Sequence, residues 1–431
     1  MLGHGAVRSH VQAVLDAARS GTLTGAAVAS FEELRNAVVD RLAVAQNSGL
    51  VRVINGTGVL LHTNFGRAPL APAALAAAVE LGAGYTNLEY DLAAGKRGSR
   101  YERVSIQLCE LSGAQAALVV NNCAAAVLLV LDTFAREREV VVSRGQLIEI
   151  GGGFRLPDVL RKSGAHLVEV GTTNKTYPLD YRNAWSAQTA MFMRTHPSNY
   201  RIDGFTAEVD TRTVAALARE LGVISFEDLG SGALVDLARL GLPHEPTVAQ
   251  EVAAGMDLVA FSGDKLLGGP QCGIIVGRAD LLDTIKRNPL LRALRVDKLT
   301  LAALSATLAL YLDPGKLDEI PFFAMLKMPV EALRGRAEML CAGLRERNAR
   351  ARVATCACES ATGGGTLPLA RLPSAGLSLS SPEVTPDKIA AQVRRHVPPV
   401  IGRSEDSGLV IDLRTVGPEQ DAVLADALAT I

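Results

Sequence analysis

No charge of one sign dominates this chain: 44 lysines and arginines stand against 45 aspartates and glutamates in 431 residues. Nothing global announces a polyanionic partner, so any nucleic-acid surface has to be a local patch. Cysteine is scarce and scattered, at Cys109, Cys123, Cys272, Cys341, Cys356 and Cys358. The one close pair, Cys356-Ala357-Cys358, has no second pair or histidine at ligand spacing. That speaks against a metal centre and a disulfide scaffold, and reduced structural thiols are expected. No uncharged apolar run reaches about 18 residues, so no membrane-spanning helix is expected. The first 30 residues carry Arg8, Asp16 and Arg19 and lack the apolar segment of a signal peptide. A cytoplasmic protein is the expectation. Internal repeats and low-complexity tracts are lacking as well.

What is present is the composition of an ordinary soluble enzyme, 48% hydrophobic and 21% charged, in a chain long enough for a sizeable core and more than one domain. Residues 1–52 read as a small helical unit. Val11, Val14 and Leu15, then Phe31, Leu34, Val38 and Leu42, recur at helical spacing, with a break at Ser20-Gly21-Thr22. From Val53 the texture changes to short apolar runs, at 117–121, 140–143, 166–170, 190–194, 223–227, 258–262 and 273–277, alternating with amphipathic helices. This pattern predicts an α/β fold with a mainly parallel, seven-stranded sheet covered on both faces, in a large domain over 53–304. Helical stretches at 300–312 and 329–352, followed by strands at 375–379 and 409–413, predict a smaller α+β domain over 305–431. In parallel sheets small-molecule sites gather at the carboxyl ends of the strands, so the polar residues that close each strand are the ones to weigh.

The strongest local signal is Phe261-Ser262-Gly263-Asp264-Lys265, followed by Gly268-Gly269-Pro270. A lysine just after an apolar strand, in a glycine-rich turn, suits Schiff-base formation with a cofactor aldehyde. A surface turn lysine is the plain alternative. Phe226-Glu227-Asp228-Leu229-Gly230 closes another strand, and a pyridoxal ring needs a carboxylate to keep its nitrogen protonated. Neighbouring strand residues face opposite sides, so only one of Glu227 and Asp228 can serve, and Asp228 suits the role. At Asn121-Asn122-Cys123 a strand breaks into a helix of small residues, whose free N–H groups can hold a phosphate, unless the asparagines simply cap it. Ser262 can add a hydroxyl to the same phosphate. Asn199, in His196-Pro197-Ser198-Asn199, can donate to the cofactor's phenolic oxygen, while His196 is equally well a polar loop residue. The chain order asparagine, aspartate, lysine matches pyridoxal-phosphate enzymes of the aspartate-aminotransferase fold, type I.

Further runs narrow the resemblance: 54–67 (Ile-Asn-Gly-Thr-Gly-Val-Leu-Leu-His-Thr-Asn-Phe-Gly-Arg), 87–91 (Asn-Leu-Glu-Tyr-Asp), 142–152 through Gly151 and Gly152, 171–174 (Gly-Thr-Thr-Asn), 290–298 and 399–403. Together with the Asp228 and Lys265 motifs they resemble bacterial selenocysteine synthases, the L-seryl-tRNA(Sec) selenium transferases, from about residue 53 to the end. The resemblance implies pyridoxal phosphate on Lys265, with Asp264 as a candidate proton shuttle or turn former. It implies selenophosphate held by Arg67, Arg292 and Arg295, a sensible receptor because guanidinium forks suit a multiply charged phosphoryl group. Arg292 and Arg295, three apart, are expected on one helical face. It implies loss of the serine hydroxyl from seryl-tRNA(Sec), an aminoacrylyl-tRNA intermediate and addition of selenium, in a pentamer of dimers with sites at subunit interfaces.

Two basic clusters, Lys96, Arg97, Arg100 and Arg103, and Arg345, Arg347, Arg350 and Arg352, can meet tRNA phosphates or be merely solvated. Arg403 has no assigned role. The family's amino-terminal helical domain grips tRNA, and here the segment before Val53 is short and near-neutral and lacks the expected opening stretch. Two other functions stay open at this point: a pyridoxal-phosphate lyase for a free small amino acid or sugar acid, and a non-catalytic scaffold on an enzyme fold.

Overall fold

The computed structural model describes residues 3–24, 27–46, 49–150, 153–347 and 351–431. The motif residues Gly151 and Gly152 and the basic residue Arg350 lie outside them. Seven strands build the central sheet: β1 (Ala116–Val120), β2 (Glu139–Ser143), β3 (His166–Val170), β4 (Thr189–Thr195), β5 (Ile224–Gly230), β6 (Leu258–Ser262) and β7 (Gly273–Gly277). Their order across the sheet is β1-β7-β6-β5-β4-β2-β3. All pairings are parallel except those of β7, which runs antiparallel to both β6 and β1. Runs such as Ala-Ala-Leu-Val-Val in β1 are buried along their whole length, as a sheet covered on both faces requires. The α/β reading and the seven apolar runs thus correspond to the observed sheet.

Between strands the helices carry ordinary end signals. Helix Cys123–Phe134 starts at Asn122, whose Oδ1 accepts from the Ala125 N–H at 2.9 Å. Helix Thr211–Leu221 is capped in the same way by Asp210. Helices Pro72–Gly82 and Glu102–Ser112 pack against the long helix Lys298–Leu312.

A second sheet, with its own hydrophobic core, joins β8 (Arg352–Gly363), β9 (Leu372–Ser380), β10 (Arg403–Glu405) and β11 (Gly408–Asp412) in the order β10-β11-β9-β8. Its far edge is completed by the early strand Val59–Leu61, parallel to β8, and Ile54 contributes to its core. This second core begins at Leu333, whereas Leu304, Leu308, Phe322 and Leu326 still pack in the first. The stretch 300–327 therefore belongs by packing to the larger body.

At the amino end, helices His4–Leu23 and Phe31–Gln46 pack mainly against each other. The break expected at Ser20-Gly21-Thr22 is not there. The first helix runs through it and closes at Thr24, whose hydroxyl bonds to the carbonyls of Ser20 and Gly21. Capping at the helix end satisfies carbonyls that a mid-helix glycine would not disturb by itself.

Candidate active site

Two polar strand ends meet across Gly230. The side chains of Asp228, near the end of β5, and Lys265, just past β6, are both buried, with residue exposures of 8% and 5%. A Cβ placed on Gly230 would lie 3.8 Å from Asp228 Oδ1 and 3.8 Å from Lys265 Nζ. The chain returns over this point in the turn Gly230-Ser231-Gly232. A Cβ on Gly232 would fall 2.4 Å from the Ser262 carbonyl oxygen, at a φ of +72°. Only glycine allows that approach at that dihedral.

Among the described residues Lys265 Nζ has no ion pair or hydrogen bond. Asp228 Oδ1 accepts only from the Cys123 thiol, at 3.5 Å. Burial pushes the Asp228 carboxyl up to about 6, against the opposing pull of the Lys265 ammonium, the Cys123 contact and His196. The same burial, reinforced by the Asp228 charge, raises the Cys123 thiol. A buried amine and a buried carboxylate with so few partners are costly unless a further group completes them.

Glu227 turns the other way. It faces Arg194 of β4 at 3.3 Å, and burial pushes it up to about 7 despite that neighbour. Strand alternation decides which of the two carboxylates reaches the lysine, and it is Asp228. His196 follows β4. Its N–H donates to the Asp228 carbonyl, and its Nε2 lies 3.2 Å from buried Glu245. It borders a cavity of about 320 Å³ that includes Gly145, Thr173 and Asn174 and is lined on one side by Leu367–Ala370, from the connection between β8 and β9.

Asn121, Asn122 and Cys123 sit together at the end of β1. Asn122 is the helix cap, so its side-chain oxygen is committed to the Ala125 N–H. The backbone N–H of Asn121 donates to Leu294, and Val120 bridges to Arg295. Strand β7 lies close against this point: a Cβ on Gly273 would be 2.1 Å from the Asn122 carbonyl oxygen. Ser262 is buried at the end of β6.

Arg67, held at a φ of +63°, donates to Asp264 Oδ2 at 2.7 Å and so stands beside the lysine turn. Arg292 and Arg295 line a different hollow, of about 380 Å³. Helix Leu290–Leu294 is only five residues long and Arg295 lies beyond it in extended backbone, so the two arginines share a hollow rather than a helical face.

Residues 53–417 match the SelA family, described as L-seryl-tRNA selenium transferase. The L-seryl-tRNA(Sec) selenium transferase of Moorella thermoacetica is 52% identical over 398 residues, covering 92% of this chain and 85% of its own. That of Geobacter sulfurreducens is 47% identical over 429 residues, covering 98% and 92%. The chain belongs to the L-seryl-tRNA selenium transferase family. A solved structure of D-glucosaminate-6-phosphate ammonia-lyase, 18% identical, superposes with a TM-score of 0.64 over 90% of this chain and 97% of that one. That likeness is one of fold, the type I fold of pyridoxal-phosphate enzymes.

In this family member the folding brings Asp228, Lys265, Cys123, Ser262, Asp264 and Arg67 into one neighbourhood. Among the described residues Asn199 has no hydrogen bond to this group: its amide donates to the Glu149 carbonyl at 3.0 Å. Arg403 is occupied in the smaller body, bonded to the Thr57 carbonyl and 3.5 Å from buried Asp412. Sequence reasoning missed the pairs Arg67–Asp264, His196–Glu245 and Arg194–Glu227. A signal for the last existed: an arginine and a glutamate inside otherwise apolar strands call for partners across the sheet.

Proposed function

We propose that the protein converts L-seryl-tRNA(Sec) to L-selenocysteinyl-tRNA(Sec), with selenophosphate as the selenium donor and pyridoxal phosphate as the cofactor. One observation carries the reading within the family: a buried lysine amine with no partner lies across Gly230 from a buried, underbonded aspartate. That pair fits the cofactor, because an aldehyde consumes the free amine and a cationic ring nitrogen matches the carboxylate. When bound, the cofactor supplies an electron sink for the bond broken at the serine Cα.

The chain's own residues do the rest. Lys265 tethers the cofactor and, once released, moves the proton at Cα. Asp228, already raised by burial, holds a proton on the ring nitrogen. The N–H groups at the start of helix Cys123–Phe134, with Asn121 and the Ser262 hydroxyl, offer donors to the cofactor phosphate. Asp264 orients Arg67 and is positioned to pass a proton beside Lys265. Asn199 keeps a buried Oδ1 with no partner, and contact with the cofactor through it requires a local shift. Arg292 and Arg295 receive the donor's phosphoryl group in their hollow, and Arg67, which stands apart from them beside the lysine turn, joins them across a subunit interface.

Residues 1–52 are proposed as the tRNA-contacting unit, followed by the cofactor body and the smaller body that starts near residue 329. Oligomerisation is supported by exposed apolar residues: Leu81, Tyr90, Leu92 and Ile106 line a hollow of about 800 Å³, and Leu75, Val79 and Tyr85 are exposed on and just after helix Pro72–Gly82. No helix among the described residues is long and apolar enough to cross a membrane, and the proposed site of action is the cytoplasm. The test is direct. Incubated with seryl-tRNA(Sec) and selenophosphate, the protein should yield selenocysteine after hydrolysis of the tRNA ester. Unchanged serine on competent tRNA would end the proposal, and turnover of a free amino acid or sugar acid instead would favour the lyase.

A further inference from the structure

The hollow that contains Arg292 and Arg295 has an acid in its wall. Arg97, Arg100, Lys286, Arg287, Arg292 and Arg295 line it, and so does Glu89. Glu89 comes from the Asn87-Leu88-Glu89-Tyr90-Asp91 run, to which no function has so far been attached. Its carboxylate is the centre of the cluster. Oε2 accepts from Arg97 at 3.0 Å, and Oε1 accepts from Arg100 Nε at 2.9 Å and also from Arg100 Nη2. Arg295 Nη1 stands 3.8 Å from the same Oε1, close enough for attraction but too far for a hydrogen bond. These arginines hold the Glu89 carboxyl below the usual range, so it is charged at neutral pH.

The three contacts are unequal. Arg100 is mostly buried and spent, because its remaining nitrogen donates to the Val296 carbonyl at 2.8 Å. Arg97 is 79% exposed in its side chain. Arg295, 37% exposed, is attracted by Glu89 without giving up a donor to it. Arg292 has no ion pair among the described residues. An anion entering the hollow meets the free forks of Arg292 and Arg295, and it also meets the field of a fixed negative charge.

We infer that Glu89 is the resident counter-ion of this hollow and sets how much negative charge a ligand must carry to claim Arg295. A monoanion gains little where a carboxylate already matches part of the cation charge. A phosphoryl dianion outbids Glu89 and draws the Arg295 guanidinium to itself. The residue is thus a selector and a positioning group, and it touches no reacting atom. The inference rests on the reading that Arg292 and Arg295 receive the donor's phosphoryl group.

Inorganic phosphate, titrated calorimetrically into the full-length protein, is the probe. Glu89→Gln keeps the acceptor for Arg100 and removes the charge, so phosphate should bind about tenfold tighter and nitrate, which the carboxylate repels less, should gain by a smaller factor. KM for selenophosphate should fall while kcat does not rise, and product phosphate should inhibit more strongly. Glu89→Asp keeps the charge but withdraws it from Arg295, so it should tighten phosphate by a smaller factor. A merely structural bracket moves these readouts the other way: weaker phosphate in both variants, with a raised KM, overturns the inference. Unchanged phosphate affinity in Glu89→Asp overturns it even if Glu89→Gln does not fold. Arg295→Ala separates the two levels. If that change leaves phosphate binding untouched, the placement of the donor fails and Glu89 falls with it. If it abolishes binding while Glu89 variants do not tighten it, only the role of Glu89 fails.

Discussion

Lys265 and Asp228 are each unremarkable as letters in a sequence, and burial is what gives them chemistry. An amine without a partner, enclosed beside a carboxyl pushed up to about 6, is poised to react with an aldehyde. Borohydride reduction of the pyridoxal-loaded protein should leave a pyridoxyl group on the peptide that contains Lys265. In Lys265→Ala the adduct should vanish, and an adduct mapped to another lysine would refute the assignment. Glu227 makes a second prediction at this scale. Burial lifts its folded-state value to about 7, above the ordinary 4.5, so the native state holds the extra proton between those limits. Its contribution to stability is therefore present at acid pH and fades as pH rises through 7. The unfolding free energy of the wild type minus that of Glu227→Gln should fall by about 1–3 kcal/mol from about pH 5 to about pH 8. A flat difference across that window would show that Arg194 keeps Glu227 ionised throughout.

The elements of the site are held by close backbone approaches more than by side-chain bonds. The Gly230-Ser231-Gly232 turn lies over Ser262 at a separation no side chain fits. Gly232→Ala combines a left-handed φ with a 2.4 Å clash against a backbone carbonyl, so it should cost roughly 2–4 kcal/mol of stability. It should also weaken pyridoxal phosphate binding, because the turn sets the distance between the ends of β5 and β6. A thermal melt and a cofactor titration of the same variant check both effects. An unchanged melt would mean that the turn can open without loss. The seven strands were legible from their apolar runs, because a strand buried on both faces cannot be polar. The pairing of the 54–61 segment with the second sheet was not. Ile54 belongs to a core whose other members lie beyond residue 332, and Val59–Leu61 pairs with β8 while Leu60 and Leu61 pack in the larger core; local pattern says nothing about partners so distant in sequence.

At the scale of the whole molecule, the exposed apolar face around helices Pro72–Gly82 and Glu102–Ser112 is the feature that a lone chain leaves uncovered. Its proposed cover is a second copy of the chain. Val79→Asp combined with Ile106→Asp should shift the mass measured by light scattering toward the monomer, since charges in an apolar interface are left unpaired. An unaltered oligomer would move the interface elsewhere. The balance of 44 basic and 45 acidic residues gives no general affinity for RNA. Binding of tRNA therefore has to come from local clusters, and of these Arg97 and Arg100 are already turned toward Glu89, Arg345 toward the Val353 carbonyl and Arg347 toward Asp426.

Short-range pattern determined the strand set, the lysine turn and the choice of family motifs, because periodicity and turn chemistry are written in neighbouring residues. Alternation along β5 even implied that Glu227 and Asp228 must part. Only the tertiary structure decided which partner each one met, that Arg67 stands with Asp264 while Arg292 and Arg295 stand with Glu89, and that Asn199 is held by Glu149. Those outcomes depend on separations of about 30 to just over 200 residues closed by packing, and a charge in a sequence carries no mark of the counter-charge the fold will bring to it.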